Sequence, residues 1–223
     1  NIILDEHDYG VCGDNPTACR AKLGAFWSQV SAHYANSPPN VMFELLNEPN
    51  HAMDVQWNSV LADMLAIVRQ TNPTRNVVIG PVFWNNIDYL DRLQLPENDR
   101  HIIVTVHYYI PMEFTHQGAS WVPQYTQLGV TWGSDADRAT LRTNFDHVKA
   151  WADAHHRPIL LGEFGAYDKG PIDSRVAYTS AVAREAEAHG FAWAYWQFDS
   201  DFVVWDMAND RWNAPIHDAL IPH

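Results

Sequence analysis

Val41-Met42-Phe43-Glu44-Leu45-Leu46-Asn47-Glu48-Pro49 is mostly apolar and then stops on an amide and a carboxylate. A short apolar run with this ending reads as a strand covered on both faces, as in a parallel sheet. The segment after it, residues 55–70, repeats Trp57, Leu61, Met64, Leu65 and Val68 at steps of three and four. That spacing predicts a helix with one buried stripe. Strand, polar turn and amphipathic helix form the unit from which the fold can be read.

The unit recurs on both sides. Upstream, residues 2–4 are apolar and end in Asp5-Glu6-His7-Asp8. A polar loop carrying the cysteines follows, then residues 23–34 with helical spacing and Phe26, Trp27 and Val30 on the apolar side. Pro38-Pro39 stops that helix. Downstream, residues 76–79 are a short strand ended by Gly80-Pro81, residues 87–93 a weak helix, and residues 102–106 a strand leading into His107-Tyr108-Tyr109. A polar and aromatic loop runs from Pro111 to about Asp135. Residues 138–155 are helical along Leu141, Phe145, Val148 and Trp151, and residues 158–162 are a strand ending at Glu163. Residues 175–189 are an Ala-rich helix capped by Gly190, residues 191–198 the last strand, and residues 212–220 a short final helix.

Alternating strands and helices fit an open doubly wound sheet or a closed (β/α)8 TIM barrel. No Gly-rich phosphate loop follows any strand, and Gly162-Glu163-Phe164-Gly165 is too short for a dinucleotide fingerprint. Polar residues instead end nearly every strand: His7, Asn47-Glu48, His107 and Tyr109, Glu163, Trp196-Gln197. A barrel builds its active site there, whereas an open sheet concentrates it at one switch point. The expectation is an α/β barrel in one domain covering residues 1–223, with six strand–helix units in the sequence.

Composition narrows the function. Fourteen basic against 27 acidic residues give a net charge of −13, which disfavours nucleic acid and anionic membrane surfaces as partners. A neutral substrate suits the chain better. Ten Trp, nine Tyr and nine Phe supply a core and leave rings for the C–H faces of sugars. Cys12 and Cys19 are either two free thiols or a bridge closing a small loop, and a bridge implies an oxidising compartment. No stretch resembles a membrane span or a secretory signal.

Glu48 and Glu163 each end a strand. Two carboxyl groups at one barrel mouth are what glycoside hydrolysis uses: one protonates the leaving oxygen, the other attacks the anomeric carbon. Asn47 can hold a sugar hydroxyl beside that carbon. Tyr109 can hold the nucleophile, and His7 and His107 can bind hydroxyls or orient carboxylates. Metal chemistry is the rival, given twelve His, but there is no His-Glu-x-x-His and no Cys pair at zinc spacing. A Gly-x-Ser-x-Gly elbow for a serine hydrolase is also absent. No metal and no cofactor is expected.

Phe43-Glu44-Leu45-Leu46-Asn47-Glu48-Pro49, His107-Tyr108-Tyr109, Leu161-Gly162-Glu163-Phe164-Gly165 and Trp193-Ala194-Tyr195-Trp196, in this order and spacing, resemble glycoside hydrolase family 5, the cellulase family. The resemblance implies a (β/α)8 barrel and hydrolysis with retention of configuration. It implies Glu48 as acid/base, Glu163 as nucleophile, Asn47 on the sugar 2-hydroxyl, His7, His107 and Tyr109 around them, and Trp196 as the platform under the sugar. The stretch Phe114-Thr115-His116-Gln117-Gly118-Ala119-Ser120-Trp121 is similar to bacterial endoglucanases of the family. The implied substrate is a β-1,4-glucan, with mannan or mixed-linkage glucan as alternatives. Trp84, Trp121, Trp132 and Trp205 are candidates for outer subsites. A secreted, extracellular or periplasmic location is expected.

Against that family, residues 2–4 correspond to the third strand. The first two strands, and an Arg that ends the second, have no counterpart in the sequence. The expectation is an N-terminally incomplete domain supplying strands three to eight. Its alternatives are a barrel completed by a second chain or segment, and a glucan-binding module without catalysis.

Overall fold

The structure is a computed structural model describing residues 1–222. Its main sheet contains β1 (Ile2–Asp5), β2 (Val41–Glu44), β3 (Val77–Ile79), β4 (Ile102–Tyr108), β5 (Ile159–Phe164) and β6 (Ala192–Trp193), in sequence order. Strands pair in parallel, with Ile2 opposite Val41, Phe43 opposite Val77, Val77 opposite Ile102 and Leu160 opposite Ala192. A doubly wound sheet reverses its order at a switch point. This one does not, so the winding is that of a (β/α)8 barrel, of which these residues supply six strands. The described residues fall into two compact units, residues 1–106 with 151–159, and residues 107–150 with 160–222.

In the first unit, the stretch expected as a polar loop is helical. It forms α1 (Tyr9–Asp14), and α2 (Pro16–His33) begins well before residue 23. The causes are local. The Asn15 side chain accepts from the Ala18 N–H at 3.1 Å, and Pro16 takes the first helical position, where its missing N–H costs nothing. Cys12 and Cys19 are joined as a disulfide, tying α1 to the start of α2. α3 (Trp57–Thr71) buries Trp57, Leu61, Met64, Leu65 and Val68, as the periodicity predicts. The weak helix expected at residues 87–93 is a 3₁₀ helix, Ile87–Arg92.

Two indoles lock the strand ends of this unit. Trp27 Nε1 donates to the Leu45 carbonyl and Trp57 Nε1 to that of Gly80, both at 2.9 Å. The opposite end is held by Arg75. Its five N–H groups go to Asn72 Oδ1 and to the carbonyls of Tyr34, Ser37, Pro38 and Val41, and its guanidinium lies 5.0 Å over the Phe43 ring. A buried guanidinium is tolerated when each donor is matched, and here the loop carbonyls supply the match.

In the second unit, α4 (Asp135–His155, as far as Ala150) starts earlier than its apolar line suggests. Asp137 accepts the N–H groups of Gly133 and Ser134 at 3.0 and 2.9 Å, while Ser134 Oγ accepts that of Asp137 at 3.2 Å. This reciprocal cap extends the helix by one turn. α5 (Ile172–Ala188) likewise begins just after Pro171. The last parallel strand is shorter than residues 191–198. The N–H groups of Ala194 and Trp196 still reach the carbonyls of Leu161 and Phe164, but the carbonyls of Gln197 and Phe198 accept from the N–H groups of Val204 and Trp205. The chain then makes an antiparallel pair absent from the sequence reading, β7 (Trp205–Asp206) and β8 (Arg211–Trp212). That pair removes Trp212 from the final helix, α6 (Ala214–Leu220). Among the described residues no helix is long and apolar enough to cross a membrane.

Candidate active site

Each unit carries one of the two glutamates. In the first, β1 and β2 end side by side, with Asp5 opposite Glu44. Beyond β1, His7 Nδ1 lies 2.6 Å from Asp5 Oδ2, and His7 Nε2 lies 3.4 Å from Asn47 Nδ2. The Tyr9 ring meets the imidazole edge-on at 5.5 Å. Asn47 is buried, and its backbone N–H donates to the Glu6 carbonyl at 2.9 Å.

Glu48 is half-buried and has a φ of 45°, in the left-handed region that costs a residue with a Cβ. Asn50 Nδ2 donates to its carbonyl at 2.8 Å, and the Pro49 carbonyl accepts from Trp84 N at 3.1 Å. Trp84 belongs to a second strained piece, in which Phe83, Trp84 and Asn85 have φ of 57°, 60° and 55°. Each such residue costs about 1–2 kcal/mol. Asp54 holds this turn by accepting the Phe83 N–H at 2.9 Å, and burial pushes its carboxyl up from the ordinary range. Gly80 is required beside it, since a Cβ there would meet Asn85 Oδ1 at 2.0 Å.

In the second unit, strand alternation puts His107 and Tyr109 on one face and Tyr108 on the other. Tyr108 anchors the strand end. Its hydroxyl accepts from Asn144 Nδ2 at 3.0 Å, its carbonyl accepts from the Tyr178 hydroxyl at 2.9 Å, and burial pushes its pKa up to about 12. The opposite face meets Glu163 near the end of β5. The Tyr109 hydroxyl donates to Glu163 Oε2 at 2.9 Å, and His107 Nδ1 lies 3.4 Å from the same oxygen. Glu163 is 9 % exposed, and the Tyr109 hydroxyl is a donor fixed on its carboxylate.

Tyr109 is itself fixed. Thr115 Oγ1 donates to its carbonyl at 2.7 Å, and the rings of His116 and Phe202 flank it at 5.0 and 5.9 Å. Trp196 packs against the cluster of Ala119, Tyr167 and Phe202. Gly165 allows this strand end to pass close by, because a Cβ there would lie 2.3 Å from the Trp196 carbonyl oxygen. Asp5, Asp54, Thr115, His116 and Phe202 were not singled out by sequence. The signals that could have found them were the polar strand end Asp5-Glu6-His7-Asp8 and the stretch containing Thr115 and His116.

The outer tryptophans divide. Trp84 and Trp121 are 40 % and 50 % exposed, and Trp205 is half-buried, stacked on Phe198 and edge-on to Trp212. Trp132 is a correction. It is 6 % exposed, edge-on to Tyr178 and covered by the Arg138 guanidinium at 5.3 Å, so it packs the interior and offers no face to a sugar.

Comparison with known proteins follows the same lines. Residues 1–202 match the family model for cellulase (glycosyl hydrolase family 5). The chain is 32 % identical over 201 residues to Endoglucanase H of Acetivibrio thermocellus, covering 87 % of this chain and 21 % of that protein. A solved hyperthermophilic endo-β-1,4-glucanase in complex with substrate is 36 % identical, with a TM-score of 0.95 over 99 % of this chain and 72 % of its own. Thermotoga maritima Cel5A in complex with mannotriose is 37 % identical, with a TM-score of 0.95 over 98 % of this chain and 72 % of its own. The chain thus spans about a fifth of Endoglucanase H and under three quarters of these two solved chains.

Proposed function

From the premise that the chain belongs to glycosyl hydrolase family 5, we propose that it is a retaining endo-β-1,4-glucanase. In this reading residues 1–223 act as one catalytic domain, and the protein works outside the cell. The disulfide between Cys12 and Cys19 supports that location.

The observation that carries the reading is the holding of Glu163 by Tyr109 and His107 on one carboxylate oxygen. A carboxylate aimed by a fixed hydroxyl donor is positioned to attack carbon. Glu163 attacks the anomeric carbon while Glu48 protonates the departing glycosidic oxygen. Glu48 then takes a proton from water, which releases the sugar with its configuration retained. Asn47 holds the hydroxyl beside the reacting carbon, and Trp196 supports the ring.

A second substrate is favoured by one comparison, the mannotriose complex of a relative 37 % identical to this chain. Reducing-sugar release on carboxymethylcellulose, β-mannan and mixed-linkage glucan separates the two. The account expects fastest turnover on the glucans, with the β-anomer as first product by proton NMR. First formation of the α-anomer refutes retention, and faster turnover on mannan moves the assignment to mannanase.

A further inference from the structure

We propose that Asp5 is a positioning residue that sets the tautomer of His7 and, through it, the orientation of the Asn47 amide. The proposal deepens the hydrolase reading and rests on it for its kinetic consequence.

The three side chains form a line. Asp5 Oδ2 is 2.6 Å from His7 Nδ1, a separation at which the ring nitrogen carries the proton and the carboxylate accepts it. With the proton on Nδ1, a neutral imidazole leaves a lone pair on Nε2. Nε2 faces Asn47 Nδ2 at 3.4 Å, so the amide turns its NH2 toward the ring and its carbonyl oxygen away. Were the proton on Nε2, that nitrogen would be a donor and the amide would present its oxygen instead. Asp5 therefore decides which end of Asn47 points at His7.

The surroundings leave Asp5 in this role. Asp5 is the last residue of β1, fixed by its register opposite Glu44. The nearby acids are engaged elsewhere: Glu6 accepts the Asp8 N–H at 3.0 Å, and Asp8 pairs with Lys22. The Tyr9 ring closes the side of the imidazole. Asn47 immediately precedes Glu48, so a flipped amide changes which group meets the sugar hydroxyl beside the acid/base.

Two measurements test this. Nitrogen-15 NMR of the histidine rings reports the tautomer directly and needs no substrate. The proposal expects the Nδ1–H form of His7 in the wild type, retained in Asp5→Asn and lost in Asp5→Ala. An Nε2–H form in the wild type, or no change in Asp5→Ala, overturns it. The kinetic arm is a double-mutant cycle on carboxymethylcellulose. Asp5→Ala should lower kcat about tenfold with KM little changed, yet do almost nothing further when Asn47→Ala is already present. Equal, additive losses in both backgrounds, or a loss tracking a fall in Tm, mean that Asp5 is merely structural. A wild type inert on every glucan refutes the hydrolase reading, while the NMR result still decides the tautomer.

Discussion

A backbone support stands out at one glutamate and a side-chain support at the other. Glu48 is placed by its backbone, with a left-handed φ of 45°, the Asn50 amide on its carbonyl and the strained turn at residues 83–85 bonded to Pro49. Glu163 is placed by its side chain, through the Tyr109 hydroxyl and His107 on one oxygen. The difference matches the two roles proposed for them. An acid/base must gain and lose a proton in each cycle, and a rigid backbone keeps its carboxyl in place in both states. A nucleophile has to stay charged and aimed, which locked donors achieve.

The largest effects should come from the glutamates, and they should differ in kind. Glu163→Gln should lower kcat on carboxymethylcellulose by about 10⁴-fold, whatever the leaving group. Glu48→Gln should lose about 10²–10⁴-fold on glucan but far less in glycosyl transfer from a dinitrophenyl cellobioside, whose leaving group needs no proton. Equal losses from both variants on both substrates would erase the distinction.

Next comes the donor to the nucleophile. Tyr109→Phe removes a hydrogen bond to a charged group, worth about 1.5–3 kcal/mol, and should lower kcat/KM about 10- to 100-fold with little change in Tm. On the other side, Asp54→Ala releases the turn beside Pro49 and should cost about 1–2 kcal/mol of stability in urea melts, with a smaller kinetic effect. A kinetic loss from Asp54→Ala as deep as that from Tyr109→Phe would show that backbone placement and donor placement are equally critical.

The smallest effect separates the units by pH. In the first unit burial pushes the Asp99 carboxyl up, but Arg69 and the His101 N–H outweigh it and hold it below the ordinary range. Its stabilisation is present above about pH 4, the unfolded value, and is lost as pH falls through the folded one. In the second unit burial opposes the charge on His189, yet Asp146 and the Glu185 carbonyl raise its pKa above 6.5. That contribution is full below the unfolded value and is lost as pH rises through the folded one. The Tm gap between wild type and Asp99→Asn should therefore narrow on acidification, and the gap to His189→Asn should narrow on alkalinisation. Gaps independent of pH would contradict both assignments.

Much of this was legible in the sequence because the information is local. The stripe from Trp57 to Val68 and the runs ending at Glu48, His107 and Glu163 announce helix, strand and polar strand ends with no tertiary input. What escaped had several causes. Asn15-Pro16 is a helix-start signal that the cysteine-bearing polar stretch obscured. The shortness of β6 follows from carbonyls captured by residues 204 and 205, which no periodicity reports. Trp132 reads like Trp84 in sequence, and only the positions of Tyr178 and Arg138 show it to be interior packing. The left-handed turn at residues 83–85 carries no glycine to announce it.

The division of labour between the glutamates is tested most directly by trapping the glycosyl-enzyme. After incubation with a 2-deoxy-2-fluoro-cellobioside bearing a good leaving group, intact mass and peptide mapping should find one added 2-deoxy-2-fluorocellobiosyl unit, on Glu163. A label on Glu48 or another carboxylate, or full turnover of β-glucan with no trappable adduct, would contradict it.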